Sequence, residues 1–189
     1  MGRVNVTLKN DLIAELEKYS QENGKSISAI LSESAHFYLE SNHSGMGADY
    51  VMKSFRILTL LKEIDSVPVP GQLLDFMIRA AMASADRDVL SKWHERGFII
   101  GDIVKKYAPT LADFSRMLEE YRPMIPVNLF SIDIRGPIIK VMLSGAGYSR
   151  EASRCSAEGL SGFLESYGYR TESTETTEGF VKISARSSS

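Results

Sequence analysis

The chain has 189 residues, of which 43% are hydrophobic, and 22 basic side chains nearly balance 24 acidic ones. This composition predicts a globular protein with one small module and one medium domain, and the balanced charge excludes an overall attraction to nucleic acid. Apolar stretches broken by charges, an N-terminus without a signal-type segment and the single Cys155 predict a cytoplasmic protein with no membrane partner and no internal disulfide.

The first residues alternate between polar and apolar side chains, as a half-buried β-strand does. Arg3, Asn5 and Thr7 fall on one face, and Val4, Val6 and Leu8 fall on the other. No second strand is predicted within the next hundred residues, so we expect this strand to pair with the same strand of a second copy. Such a two-stranded ribbon would fit the major groove of DNA.

Two amphipathic helices are predicted after the strand. The first runs to Glu22 and is stopped by Asn23 and Gly24, and the second is capped by Ser26 or Ser28. A unit of about 40 residues buries too little apolar surface to fold alone, which predicts an obligate homodimer that can assemble further into a tetramer. The predicted dimer core comprises Val4, Val6, Leu8, Leu12, Leu16, Ile30 and Leu31.

Helical patterns continue after a polar linker, and the period changes to two after Pro123. Helices are predicted over 50–64, 72–83, 88–107 and 110–121, followed by a β-β-α-β unit. The predicted fold class is α+β. The predicted domains are an N-terminal module over 1–42, a linker over 43–48, a sensor or oligomerisation domain over 49–186 and a frayed tail over 187–189.

The N-terminal segment resembles the ribbon-helix-helix regulators, the group of Arc, MetJ and CopG. The residues that carry the resemblance are the alternating strand from Arg3 to Leu8, the positions Leu12 and Leu16, and the run from Gly24 to Ile30. The resemblance implies base contacts from Arg3, Asn5 and Thr7, and phosphate contacts from the entry to the second helix. The implied phosphate-contacting residues are Lys9, Lys25, Ser26, Ile27 and Ser28. The alternative is a dimer-forming edge whose polar face is solvated and whose serines only cap the helix.

The segment 125–185 resembles the four-vinyl-reductase-like small-molecule sensor domains through its strand pair, the helix after Cys155 and the Tyr167-Gly168-Tyr169 run. No cofactor is evident, and the resemblance implies an unidentified small-molecule effector. Small residues on one face of the helix predict close approach to a neighbouring element: Ala152, Cys155, Gly159 and Gly162. Five aromatic residues are predicted to lie in the core or to line a ligand pocket: Trp93, Phe98, Tyr107, Phe114 and Tyr121.

Metal binding and catalysis are not predicted. His36, His43 and His94 are scattered, and the chain has no metalloprotease, nucleophile-elbow or Walker-type motif. We therefore expect a sequence-specific DNA-binding regulator, a repressor of a palindromic operator, controlled by a small ligand and not an enzyme. Two alternatives are an antitoxin-type protein whose C-terminal region captures a protein partner, and an interaction module that never touches DNA.

Overall fold

A computed structural model describes residues 5–125, 127–145 and 149–188. The chain divides into two compact units, Met1–Arg56 and Ile57–Ser189. Within the described residues there are six α-helices, one short 3₁₀ turn and four β-strands.

The N-terminal unit contains α1 (Asn10–Asn23), α2 (Ile27–His43) and the first part of α3 (Gly47–Glu63). Helix α1 ends where Gly24 adopts a left-handed conformation with φ of 64°. Ser26 then caps α2, because its hydroxyl accepts a hydrogen bond of 3.2 Å from the amide of Ala29. The two predicted helices and the turn between them are therefore present.

The predicted N-terminal strand is not present in the described residues. Residues 5–9 are neither strand nor helix, and α1 is the first regular element of the described chain. Arg3 and Val4 lie outside the described residues. Alternation makes a strand only where a partner strand supplies hydrogen bonds, and the four described strands pair with one another at the other end of the chain. The ribbon-helix-helix prediction is wrong.

The C-terminal unit begins with helices. Helix α4 (Gly71–Val104) is bent at Ala85, where φ is −152° and ψ is 53°, and α5 (Leu111–Tyr121) follows, capped by Thr110 and Asp113. The two helices predicted over 72–83 and 88–107 are thus two arms of one bent helix. A 3₁₀ turn, Arg122–Met124, leads towards the sheet.

A four-stranded antiparallel sheet completes the fold, with β1 (Leu129–Arg135), β2 (Ile138–Ser144), β3 (Tyr169–Thr177) and β4 (Phe180–Ser187) in the order β1-β2-β4-β3. Helix α6 (Arg150–Ser166) connects β2 to β3. The α+β class is confirmed. The predicted β-β-α-β order lacked β3, whose polar Thr- and Glu-rich sequence forms an exposed strand at the edge of the sheet.

The main core lies between the sheet and the helices α5 and α6. Ile139, Val141 and Ile183 are almost fully buried, and Phe114 packs on Phe163 with 4.6 Å between ring centroids. A smaller cluster joins the first arm of α4 to the start of α6 through Ile78, Met82, Ala152 and Cys155.

Glycines bring α4 and α6 into contact at the backbone. A Cβ atom on Gly97 would lie 1.9 Å from the carbonyl oxygen of Gly159, and one on Gly101 would lie 2.0 Å from Oγ of Ser166. The small residues of α6 therefore permit a close helix crossing, as their spacing predicted. None of the helices in the described ranges is both long and apolar enough to cross a membrane.

Candidate functional site

A polar cleft of about 490 Å³ opens in the C-terminal unit, beside the crossing of α4 and α6. Its volume is within the range of small-molecule sites. Helix α4 contributes His94, α6 contributes Glu158, Ser161 and Glu165, and β3 contributes most of the remaining wall. The residues from β3 and the C-terminal end are Tyr169, Arg170, Thr171, Thr174 and Ser188.

His94 lies between two carboxylates of α6. Its Nε2 atom is 2.8 Å from Oε2 of Glu165, a hydrogen bond, whereas Nδ1 is 3.5 Å from Oε2 of Glu158. The longer distance leaves Glu158 with acceptor capacity for another group. About a third of the His94 side chain is exposed, so the imidazole borders the cleft and is not a core residue.

The backbone holds His94 at this position. Gly162 lies against the His94 carbonyl, where a Cβ atom would approach the oxygen to 2.0 Å. Because the crossing is so close, the side chain of His94 reaches Glu158 and Glu165, which lie on one face of α6. Gly168, with φ of 80°, then turns the chain directly from α6 into β3.

Strand β3 closes the cleft with hydroxyl groups and one cation. Oγ1 of Thr171 donates to Oγ of the buried Ser161 over 3.2 Å, which links the strand to the helix. Arg170 makes no ion pair within the described part of the chain, whereas its cross-strand neighbour Arg186 binds Glu172. Arg170, which lines the cleft, therefore has no compensating carboxylate in the described chain, and Glu158 keeps free acceptors.

A second cleft of about 390 Å³ lies at the bend of α4. Its cations are already occupied: Nη2 of Arg154 is 3.4 Å from Oδ2 of Asp86, and Nε of Arg79 is 3.1 Å from Oδ2 of Asp75. Its charges are thus largely compensated within the protein, so the cleft beside His94 is the better candidate for a ligand.

The described residues that were predicted to contact DNA lie before α1 and around the start of α2. Asn5, Thr7 and Lys9 are exposed on irregular chain before α1. Lys25 binds Glu33 at 2.7 Å, and this hydrogen bond raises the lysine pKa. Ser26 is occupied as a helix cap, and Ile27 and Ser28 occupy the first turn of α2. Of the predicted dimer core, Val6 and Leu12 are exposed and Leu8, Leu16, Ile30 and Leu31 are half-buried.

The five aromatic residues predicted to line a pocket lie in different places. Phe114 is in the main core, Trp93 packs against the smaller cluster, and the Tyr107 hydroxyl donates to Glu63. Phe98 is at the edge of exposure and Tyr121 is half-buried. Neither cleft is lined by any of the five.

The structure also shows the environment of the cysteine and of the candidate metal ligands. Cys155 is fully buried, and burial raises the pKa of its thiol to about 11. Among the residues that the structure describes, no group of three or more histidine, cysteine or acidic side chains is placed to hold a metal ion.

Comparison with known proteins gives two matches among solved structures. One was solved to probe the function of heme distortion in the H-NOX family; it has 12% identity and a TM-score of 0.40, over 71% of this chain and 88% of that chain. The other gives structural insights into the molecular mechanism of H-NOX activation, with 13% identity and a TM-score of 0.39, over 68% and 82%. No protein-family model and no curated protein matches the chain.

These findings correct the functional predictions. The matched structures belong to H-NOX studies and not to ribbon-helix-helix regulators or to the four-vinyl-reductase-like domains. With the strand missing from residues 5–9, the prediction of a sequence-specific DNA-binding repressor is wrong. The antitoxin alternative shared the same module and is wrong with it.

The cleft beside His94 was not recognised from the sequence. The signal available was the row Glu158, Ser161 and Glu165 on one face of α6, next to the glycines that predict a close contact. The partner histidine is 71 positions away from Glu165 and follows only from the fold.

Proposed function

We propose that the C-terminal unit binds a small polar molecule in the cleft beside His94, and that the protein acts as a ligand-binding module. The observation that carries the proposal is a pair of oppositely charged residues that line the cleft and lack a full ion-pair partner within the described chain. Glu158 is only loosely engaged by His94, and Arg170 has no carboxylate partner among the described residues.

The chemistry of the lining favours a zwitterion. An ammonium group would bind the free oxygens of Glu158, and a carboxylate would bind Arg170, whose planar guanidinium suits bidentate contact. The hydroxyls of Thr171, Thr174 and Ser188 supply further hydrogen bonds. The ring of Tyr169 gives the cleft an aromatic wall next to these groups. An α-amino acid has this combination of groups.

Heme, named for one of the matched structures, does not fit this cleft. A heme site needs largely apolar walls and an axial ligand such as a histidine with a free nitrogen. Here the walls carry two glutamates and an arginine, and Nε2 of His94 is engaged by Glu165. The proposal therefore concerns a polar ligand.

The test is a thermal-unfolding screen with the standard α-amino acids as single probes. A probe that binds the native state raises Tm by mass action. We expect at least one amino acid to raise the Tm of the wild-type chain, while butylamine and butyrate, which carry one charge each, have little effect. An absence of any shift across the amino acids would contradict the proposal.

Variants locate the binding. Glu158→Gln and Arg170→Gln each remove one charge from the cleft, and we expect each to reduce the affinity for the active probe by about 10-fold or more. Glu151→Gln and Arg154→Gln make the same changes in the second cleft and serve as controls that keep the affinity. Equal losses in both pairs of variants would show that the cleft beside His94 is not the site.

A further inference from the structure

His94 can donate a hydrogen bond to only one of its two carboxylate neighbours while its ring is neutral. A neutral imidazole carries one N–H group, and its other nitrogen is an acceptor. An ionised carboxylate is an acceptor only, so it gains no hydrogen bond from the unprotonated nitrogen. The distances fit this asymmetry, because Nε2 is 2.8 Å from Oε2 of Glu165 whereas Nδ1 is 3.5 Å from Oε2 of Glu158. The contacts therefore assign the hydrogen of the neutral ring to Nε2.

A proton on Nδ1 changes this arrangement. The imidazolium has an N–H group on both nitrogens and carries a positive charge. Nδ1 can then donate to Glu158, which turns a loose approach into a charge-assisted hydrogen bond. Glu158 thereby loses the acceptor capacity that the neutral ring leaves it. The charge of His94 thus controls the carboxylate to which we assign the ammonium group of an amino acid.

The charged groups that face His94 come from α6 and β3. Glu158 and Glu165 of α6 attract a protonated ring, whereas Arg170 of β3, which lines the same cleft, repels it. Tyr169 of β3 is the remaining titratable residue of the lining. Phenols lose their proton at about pH 10, far above the range in which histidines change charge. Two acidic contacts therefore stand against one basic residue around the ring.

Helix α4 itself, described over its whole length, places no charge on the face of His94 within one turn. The residues three and four positions away are Leu90, Ser91, Gly97 and Phe98. Charged residues one or two positions away are engaged elsewhere, Lys92 with Glu95 and Arg96 with a backbone carbonyl. Arg154, one turn before the first glutamate on α6, lies 3.4 Å from an aspartate at the bend of α4. The two glutamates of α6 are therefore the groups that respond to the charge of the ring.

We propose that His94 is a proton-sensitive switch of the cleft: the neutral ring leaves Glu158 free for a cationic ligand group, and the protonated ring binds Glu158 and displaces that group. This inference rests on the ligand site proposed above and adds its regulation. Histidine side chains ordinarily change charge between about pH 5 and pH 8, so the switch operates in the physiological range. Because the proton and the ligand compete, the cleft binds at neutral pH and releases on acidification.

The first experiment follows the ring and the carboxylate in the full chain with no ligand added. Long-range proton–nitrogen NMR spectra of His94 should show hydrogen on Nε2 above about pH 7 and on both nitrogens at about pH 5. The carboxyl-carbon signal of Glu158 should shift in step with protonation of the ring, and this step should be missing in His94→Gln. A neutral ring with its hydrogen on Nδ1, or a Glu158 signal that does not follow the ring, overturns the proposal.

The second experiment repeats the thermal-unfolding screen at about pH 5 and about pH 7, where the α-ammonium and α-carboxylate groups of the probes stay charged. The probes are the standard α-amino acids except histidine, whose own side chain titrates in this range. For each probe that raises the Tm of the wild type, the affinity should be about 5-fold or more weaker at the lower pH. No shift of Tm at either pH contradicts the proposed function and the release step, while the NMR result still decides the contact between His94 and Glu158.

Two variants test the assignment to His94. His94→Gln removes the group that gains the proton, so its affinity for the same probe should be equal at the two pH values. His36→Gln is the matched control, because Nδ1 of His36 is also 3.5 Å from a glutamate, Glu40, but on an exposed part of α2. This control should keep the pH dependence of the wild type. A wild-type affinity that is equal at both pH values, or a pH dependence retained in His94→Gln, overturns the proposal.

Discussion

Gly162 of α6 lies directly against the backbone of His94 on α4, at a place where a Cβ atom would be 2.0 Å from the carbonyl oxygen. Backbone atoms cannot yield as the end of a flexible side chain can. The same contact that packs the two helices also holds His94 within hydrogen-bonding distance of Glu165. Stability of the crossing and geometry of the cleft therefore depend on the same glycine.

Gly162→Ala should force the two helices apart and lower the free energy of unfolding by about 1–3 kcal/mol or more, as overpacking of a tight contact does. It should also weaken binding of any ligand of the cleft beside His94. Urea unfolding followed by circular dichroism measures the first effect. Gly71→Ala is the control, since a Cβ atom there meets nothing within 4 Å and the residue has no positive φ. A Gly162→Ala protein as stable as Gly71→Ala would contradict the close packing.

Asp75 fastens the first arm of α4 to the start of α6. Its Oδ1 atom accepts a hydrogen bond of 2.9 Å from the amide of Ser149, the residue that caps α6. The hydrogen bonds from Ser149, helped by Arg79, lower the pKa of the carboxyl below its ordinary 3.8 although the side chain is largely buried. Asp75→Asn should lower the free energy of unfolding by about 1–2 kcal/mol at neutral pH.

The pH dependence of this contact has a definite sign. A carboxyl with a lowered pKa in the folded state stabilises the fold above its unfolded pKa, and the gain is lost as the pH falls through the folded pKa. The difference in stability between wild type and Asp75→Asn should therefore be full above about pH 4 and shrink below pH 3.8. Asp86→Asn, which breaks an exposed pair with Arg154, should cost at most about 0.5 kcal/mol. A gap that widens on acidification would contradict the assignment.

Cys155 should be unreactive in the native protein. It is fully buried in the cluster that joins the first arm of α4 to the start of α6, and burial raises its pKa to about 11, so little thiolate forms at neutral pH. Labelling with a maleimide in increasing urea should follow the unfolding curve measured by circular dichroism. Rapid labelling without urea would show that this part of α6 opens independently.

The sequence predicted local elements well where the pattern depends on neighbours along the chain. The hairpin of β1 and β2, helix α6 and strand β4 follow from alternation, turn residues and helix caps near in sequence. Strand β3 was not predicted because polar residues occupy both of its faces, so apolar and polar side chains do not alternate along it. It is a strand because it pairs with β4.

The site depends on contacts that no local pattern contains. His94 meets Glu165 across 71 positions because glycines on two helices allow a close crossing, and sequence shows the small residues without showing their partner. The strand prediction for the N-terminal segment was wrong for the opposite reason. Its alternation over a few residues matched a strand, but residues 5–9 form none in the described chain, because alternation alone does not supply the partner strand that a strand needs.

Tyr167 makes a hydrogen bond to a buried backbone carbonyl. Its hydroxyl donates to the oxygen of Ala108 over 2.8 Å, and Ala108 is 1% exposed. Burial, with a smaller contribution from Asp113, raises the pKa of Tyr167 to about 12. Tyr167→Phe leaves the carbonyl unpaired and should lower the free energy of unfolding by about 1–3 kcal/mol at neutral pH.

Alkaline pH tests the burial of this hydroxyl, because a phenol whose pKa is raised on folding stabilises the protein fully below its unfolded pKa of about 10. That stabilisation is lost as the pH rises through the folded value of about 12. Wild-type stability measured by urea unfolding should therefore fall more steeply above pH 10 than that of Tyr167→Phe, and the two curves should converge. Tyr107→Phe is the control: Tyr107 is exposed, so that variant should stay close to wild type at neutral pH. Parallel curves for wild type and Tyr167→Phe would contradict the burial of this hydroxyl beside Phe163, whose ring centroid lies 5.2 Å away.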